Sequence, residues 1–92
     1  LRLTERRIKL ELTRTDGWRL RGKYIWRSFA FEDFAQSMRF VNRVATRAES
    51  MNHHPDILVQ YNKVKLVLTT HDSGGLTMKD FTLARKINRI RR

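Results

Sequence analysis

Residues 49–80 read ESMNHHPDILVQYNKVKLVLTTHDSGGLTMKD, and the fold is decided in this stretch. It holds all three histidines of the chain, His53, His54 and His71, in two short segments, Asn52–Pro55 and Thr69–Asp72. Pro55 disfavours helical dihedrals at His54, so a helix arriving from the N-terminal side should finish near Asn52. Ile57–Tyr61 and Val64–Thr70 read as two strands joined at Asn62-Lys63 in a tight hairpin. In the second strand Val64, Leu66 and Leu68 point one way, and Lys65, Val67, Thr69 and His71 point the other. Asp72-Ser73-Gly74-Gly75 is a turn cluster that ends this strand near His71. Thr77 then caps a last helix, with Asp80 three residues on as its capping-box acid and Phe81, Ala84, Ile87 and Ile90 on one stripe. Two element ends carry every imidazole of the protein, which predicts one site assembled from both.

Working back toward the N-terminus, residues 32–52 form a helix. Phe34, Met38, Val41, Ala45 and Ala48 recur at four- and three-residue steps and define its apolar stripe. Arg39, Arg43 and Arg47 make a basic row on another face, which serves either as a solvated surface or as a phosphate contact. Upstream, Trp18-Arg19-Leu20 and Tyr24–Phe31 alternate as strands around an Arg21-Gly22-Lys23 turn. Aromatic residues are favoured in cross-strand pairs, so Trp18, Tyr24 and Trp26 are assigned to sheet packing ahead of ligand stacking. Residues 1–12 read as a short helix capped by Thr4, with Ile8 and Leu12 on one face. The alternation of Ile8, Leu10 and Leu12 leaves a strand open as the other reading. Helix, hairpin, helix, hairpin, helix around one core gives an α+β domain spanning 1–92: a four-stranded antiparallel sheet with three helices on one face.

Composition narrows the class. At 92 residues, 40% of them hydrophobic, the chain can bury one modest core, and oligomerisation would help it. No apolar run is long enough to cross a bilayer, and a cytoplasmic location with no membrane partner is expected. With no cysteine, disulfides and thiolate metal sites are excluded. A net charge of +11 attracts nucleic acid or any anionic surface through counterion release, whatever the specific function. The basic residues are spread through every segment, and only Arg89, Arg91 and Arg92 form a terminal cluster.

Glu49 and His53 are four apart, which on a continuous helix puts them on one face within reach. A carboxylate beside an imidazole fixes its tautomer and equips it for proton transfer. His53 and His54 are adjacent and cannot point the same way, so one can handle protons while the other holds a substrate. His71 could face His53 across a small gap, and two imidazoles on opposite sides of a bound molecule suit an elimination. Three histidines with a carboxylate could instead ligate zinc, although consecutive ligands at 53 and 54 would need an unusual backbone path. There is no Ser/His/Asp arrangement, and Gly74-Gly75 lacks the rest of a phosphate loop.

The order Glu49, His53-His54-Pro55, Tyr61, His71, Asp80 fixes seven residues across 32 positions and resembles the pattern of the pterin-4a-carbinolamine dehydratases. The resemblance runs from about Leu3 to Ile90 and includes Gly17-Trp18, Phe29–Phe34, Arg43-Val44-Ala45, Tyr61–Val64, Thr70-His71 and Gly75-Leu76-Thr77. It implies a lyase without cofactor or metal that dehydrates 4a-hydroxytetrahydropterin to quinonoid dihydropterin in tetrahydropterin recycling. By analogy, His53 and His71 do the acid/base work, His54 grips the pterin ring, and Glu49 orients His53. The substrate-contacting segments fall on Asn52, His53, His54 and Pro55, and on Thr69, Thr70, His71 and Asp72. Tyr61 and Asp80 are assigned to the scaffold. Many members carry an aromatic residue where this chain has Ile57, and Asp where it has Asn52. The resemblance also implies a homodimer or homotetramer. A second reading is a binding module, since some relatives are dimerisation cofactors of a transcription factor and others resemble assembly chaperones of a carbon-fixing enzyme.

Overall fold

A computed structural model describes residues 1–92. Helix α1 (Glu5–Thr13) leads into β1 (Arg19–Arg21) and β2 (Tyr24–Ala30), followed by α2 (Phe34–Met51), β3 (Asp56–Gln60), β4 (Lys63–Leu68), a short 3-10 turn (His71–Ser73) and α3 (Met78–Asn88). The strands form one antiparallel sheet in the order β1-β2-β4-β3. This is the predicted α+β architecture.

Period-two alternation gives the sheet one apolar face. Ile25 and Phe29 of β2 join Val64, Leu66 and Leu68 of β4 under the helices, all buried. Against them lie Phe40, Val44 and Ala48 of α2 and Phe81, Ala84 and Ile87 of α3. Each large side chain buried this way contributes roughly 1.5–3 kcal/mol of transfer free energy. The open face carries Trp26, half-buried, with the Lys65 ammonium 4.8 Å and the Arg19 guanidinium 5.8 Å from its ring centroid.

The buried line of α2 differs from the predicted stripe. Ser37, Phe40, Val44 and Ala48 face inward, whereas Phe34 is 51% exposed and Ala45 is also exposed. The Phe40 ring sits 4.6 Å from Phe29 and 5.1 Å from Phe31, centroid to centroid, and this contact sets the rotation of the helix. Apart from Ser37 both stripes are apolar in sequence, so periodicity alone could not choose between them. The second hairpin also turns one residue earlier than expected, at Tyr61-Asn62, with Gln60 paired to Lys63. Tyr61 there adopts φ 52°, a left-handed conformation.

Gly17 shows why a glycine precedes Trp18. Its φ is +80°, and a Cβ would lie 2.5 Å from the Arg27 guanidinium carbon. That guanidinium donates to the Asp16 carbonyl and to Asn88 Oδ1, which also accepts the Trp18 indole N–H at 2.9 Å. Trp18, expected within the first strand, lies just before β1 and is a core residue tied to α3.

Helix α1 hides a carboxylate that its hydrophobic pattern did not announce. Glu11 is 1% exposed, bonded by Arg7 at 2.8 Å and by Arg85 from α3. The hydrogen bond from Arg7, and then that from Arg85, hold its carboxyl below the usual 4.5 against the opposing pull of burial. A carboxylate depressed in the folded state contributes stability above its unfolded pKa, and that contribution is lost as pH falls through the folded value. Glu11→Gln is accordingly expected to melt below wild type at pH 7, with the gap closing as the pH drops well under 4.5. Melting curves across that range test it, and a gap independent of pH would refute it.

Candidate active site

The end of α2 is what aims the histidine pair. Asn52 takes the left-handed conformation, φ 49° and ψ 44°, and the His53 N–H returns to the Ala48 carbonyl at 3.1 Å. Such a reversal closes a helix and satisfies its last carbonyls. Beyond it, residue 53 has left the helical path, so the four-residue spacing from Glu49 no longer places the two side chains together.

The expected Glu49–His53 pair is accordingly not formed. Glu49 meets His54, Oε2 to Nε2 at 2.5 Å, and both side chains are largely exposed. His53 turns inward instead. Its side chain is 10% exposed, and Nε2 lies 2.6 Å from Asp80 Oδ1 on the first turn of α3. Asp80 was assigned to the scaffold as a helix cap. It does cap α3, and it also holds the more buried of the two adjacent imidazoles.

The surroundings of Asp80 are fully hydrogen-bonded. Oδ2 accepts the Thr77 N–H at 2.9 Å and the Thr70 hydroxyl at 2.8 Å. With its proton committed to Asp80, the Thr70 oxygen accepts from the Thr77 hydroxyl at 2.8 Å. Asp80 is 0% exposed, and no buried side-chain polar atom in the chain lacks a partner. An ionised carboxylate only accepts, so it draws the N–H of the imidazole to Nε2 and leaves Nδ1 of a neutral His53 as the acceptor.

His71 comes from the other side. Strand β4 ends at Leu68, and a bridge between Thr70 and Gly75 closes the loop that carries the 3-10 turn. The Thr69 hydroxyl donates to the Lys23 carbonyl at 2.6 Å, tying the loop base to the β1–β2 turn. His71 opens this turn as an exposed ring.

These segments meet. Asn52, His53 and His54 line one polar depression of about 360 Å³ together with Thr69, Thr70, His71 and Asp72, and Lys79 joins them from α3. Its volume falls at the lower end of small-ligand sites. Pro55, Ile57 and Glu49 are not part of the lining, and Tyr61 lies at the hairpin turn, 65% exposed. Sequence reasoning missed Lys79, which no spacing singled out. It also missed the second role of Asp80, although the Thr77-x-x-Asp80 box had placed that carboxylate at the start of α3.

A family model described as pterin 4 alpha carbinolamine dehydratase matches residues 1–90. The chain belongs to this family. Among pterin-4-alpha-carbinolamine dehydratase relatives, a provisionally named one from Sulfurisphaera tokodaii is 48% identical over 89 residues, covering 97% of this chain and 96% of that protein. Another, provisionally named in the same way, from Nostoc sp., is 46% identical over 88 residues and covers 96% and 95%. The crystal structure of a transcriptional coactivator/pterin dehydratase from Brucella melitensis superposes with a TM-score of 0.90 at 40% identity, covering 96% of each chain. A pterin dehydratase-like protein identified as a RuBisCO assembly factor in the alpha-carboxysome gives 0.66 at 25% identity, covering 78% of this chain and 86% of its own. Pterin dehydratase folds thus include proteins described by activity and proteins described by assembly.

Proposed function

We propose that this chain is an active, cytoplasmic pterin-4a-carbinolamine dehydratase that converts 4a-hydroxytetrahydropterin to quinonoid dihydropterin by histidine acid/base catalysis. The observation that carries the reading is the convergence of both histidine segments on one polar depression within a chain of this family. In the elimination, one imidazole takes the proton from N5 and the N5 electron pair forms the C4a=N5 double bond. The C4a–O bond breaks, and a second group protonates the departing hydroxyl, which leaves as water. Protons balance across the step, and no electron acceptor is needed. His53, oriented by Asp80, and His71, entering from the opposite segment, take the acid/base roles. His54, steadied by Glu49, grips the pterin ring, while Asn52, Thr69, Thr70 and Asp72 supply polar contacts and Pro55 fixes the backbone beside them.

The test is loss of the carbinolamine, generated in place by a hydroxylase, with purified chain and no added metal. Acceleration over the uncatalysed reaction supports the proposal, and a rate equal to the blank refutes it.

A binding or dimerisation module is the second reading, favoured by two structural neighbours, one a transcriptional coactivator/pterin dehydratase and one an assembly factor. It predicts no turnover together with a specific protein complex that survives physiological salt.

Either reading is expected to use an oligomer. Edge strand β3 leaves Ile57 38% and Leu58 51% exposed, and a small core gains from covering such residues. Sedimentation at micromolar concentration is expected to show a homodimer or homotetramer. A stable monomer there would contradict it.

A further inference from the structure

A second concave site lies toward the other end of α2, and its chemistry is unlike that of the histidine depression. It is a cavity of about 230 Å³ between the β2–α2 connection, the first half of α2 and the residues after α3. Arg39 and Arg43 line it from α2, Arg91 and Arg92 from the segment beyond α3, with Glu32 as the one carboxylate. None of the four arginines forms a salt bridge with any acid in the chain. Arg43 Nη1 donates to the Arg91 carbonyl at 3.1 Å, which clips the last residues against the helix. Along α2, Arg43 and Arg39 stand roughly 14–20 Å from Asn52, so the two sites are separate.

The cations continue past the cavity wall. Arg92 and Arg27 both approach the ring of Phe29, with guanidinium carbons 5.1 Å and 4.6 Å from its centroid. Burial, and then the charge of Arg92, hold Arg27 below its ordinary range. The Asp16 charge opposes this in part, and because a guanidinium keeps its proton under ordinary conditions, a further anion beside Arg92 would be stabilised.

We propose that this cleft binds a phosphate-bearing anion, with a diphosphate group as its preferred ligand. Several guanidinium forks can each present paired N–H donors to phosphate oxygens, and a ligand with more than one charge answers several cations at once. Size limits the rest of the ligand. Liquid water occupies roughly 30 Å³ per molecule, so the cavity admits an inorganic diphosphate or the phosphate end of a larger molecule. It is too small to enclose a whole nucleotide, since drug-sized ligands fill roughly 300–1,000 Å³. This inference is independent of the dehydratase reading.

Calorimetric titration of the full chain with inorganic pyrophosphate in 0.15 M NaCl tests it. One saturable site per chain is expected in wild type. Arg39→Ala/Arg43→Ala removes two exposed side chains and is expected to weaken binding by at least about tenfold. Arg19→Ala/Arg21→Ala on β1 removes the same charge outside the cleft and should change affinity less than about threefold. Equal losses in both pairs, or no saturable binding in wild type, would overturn the proposal. A labelled single-stranded oligonucleotide then separates the sources. If pyrophosphate displaces it and the α2 pair fails to bind it, the phosphate is a nucleic-acid backbone. If the oligonucleotide does not compete while pyrophosphate binds, the ligand is a small phosphate compound. Either result supports the anion site.

Discussion

Alanine at position 53 or at position 71 is expected to slow carbinolamine dehydration by roughly two to four orders of magnitude, the usual range for acid/base groups. Because this substrate also dehydrates unaided, the background reaction compresses the measurable drop toward the lower figure. The two variants differ in a way that makes them a useful pair. His71 is an exposed ring with no side-chain hydrogen bond to the rest of the protein. Its removal is expected to leave stability within about 0.5 kcal/mol of wild type. Lost turnover with an unchanged melting curve would therefore report chemistry at the depression. His53 is nearly buried and bonded to Asp80, so alanine there also opens space and removes a partner from a buried carboxylate. A lower melting temperature should accompany its loss of rate. Glu49→Gln acts only through His54, at an exposed pair, and should cost no more than about tenfold. Unchanged turnover in both the His53 and His71 variants would remove the acid/base assignment.

The architecture was legible because the alternation in Val64, Leu66 and Leu68 and the stripe from Phe81 to Ile87 each allow one rotation only. Those residues are all buried where the pattern put them. Helix α2 was ambiguous since Phe34 and Phe40 offer competing stripes, and only contact with Phe29 and Phe31 decides between them. The candidate site was legible as a set of residues but not as a set of pairs. A histidine four residues after Glu49 is its partner only while the helix lasts, and the left-handed Asn52 ends it one residue too early. The Asp80–His53 contact joins residues 27 apart, and no local pattern encodes such a pairing. What the sequence did encode was the approximate end of α2, through Pro55 just beyond the Asn52 cap, and the capping box that starts α3.

Asp80 is where stability and the proposed chemistry share one side chain, and two substitutions separate them. Asp80→Ala leaves the Thr77 N–H, the Thr70 hydroxyl and His53 without their acceptor, where the carboxylate itself is fully buried. A buried polar group left unpaired costs about 1–3 kcal/mol, and the Thr77 N–H, the Asp80 half of the capping box, is one of them. Partial relaxation toward water offsets some of this, so a loss of about 3 kcal/mol is expected. In a domain of this size it lowers Tm by about 12–24 °C. Asp80→Asn behaves differently. Its carbonyl oxygen can still accept from Thr77 and Thr70, which preserves the cap and most of the stability. The amide nitrogen then faces His53 Nε2 as a donor, so the ring must accept there and carry its proton on Nδ1, the reverse of the tautomer an ionised Asp80 imposes. Turnover is expected to fall about a hundredfold in Asp80→Asn while the melting temperature stays well above that of Asp80→Ala. Wild-type turnover in the asparagine variant would mean that the orientation of the His53 proton has no part in the reaction. A wild-type melting curve for the alanine variant would mean that the buried network contributes nothing to the fold. If both predicted losses appear, and in that order, the carboxylate that starts α3 also fixes which nitrogen of His53 is free to take a proton.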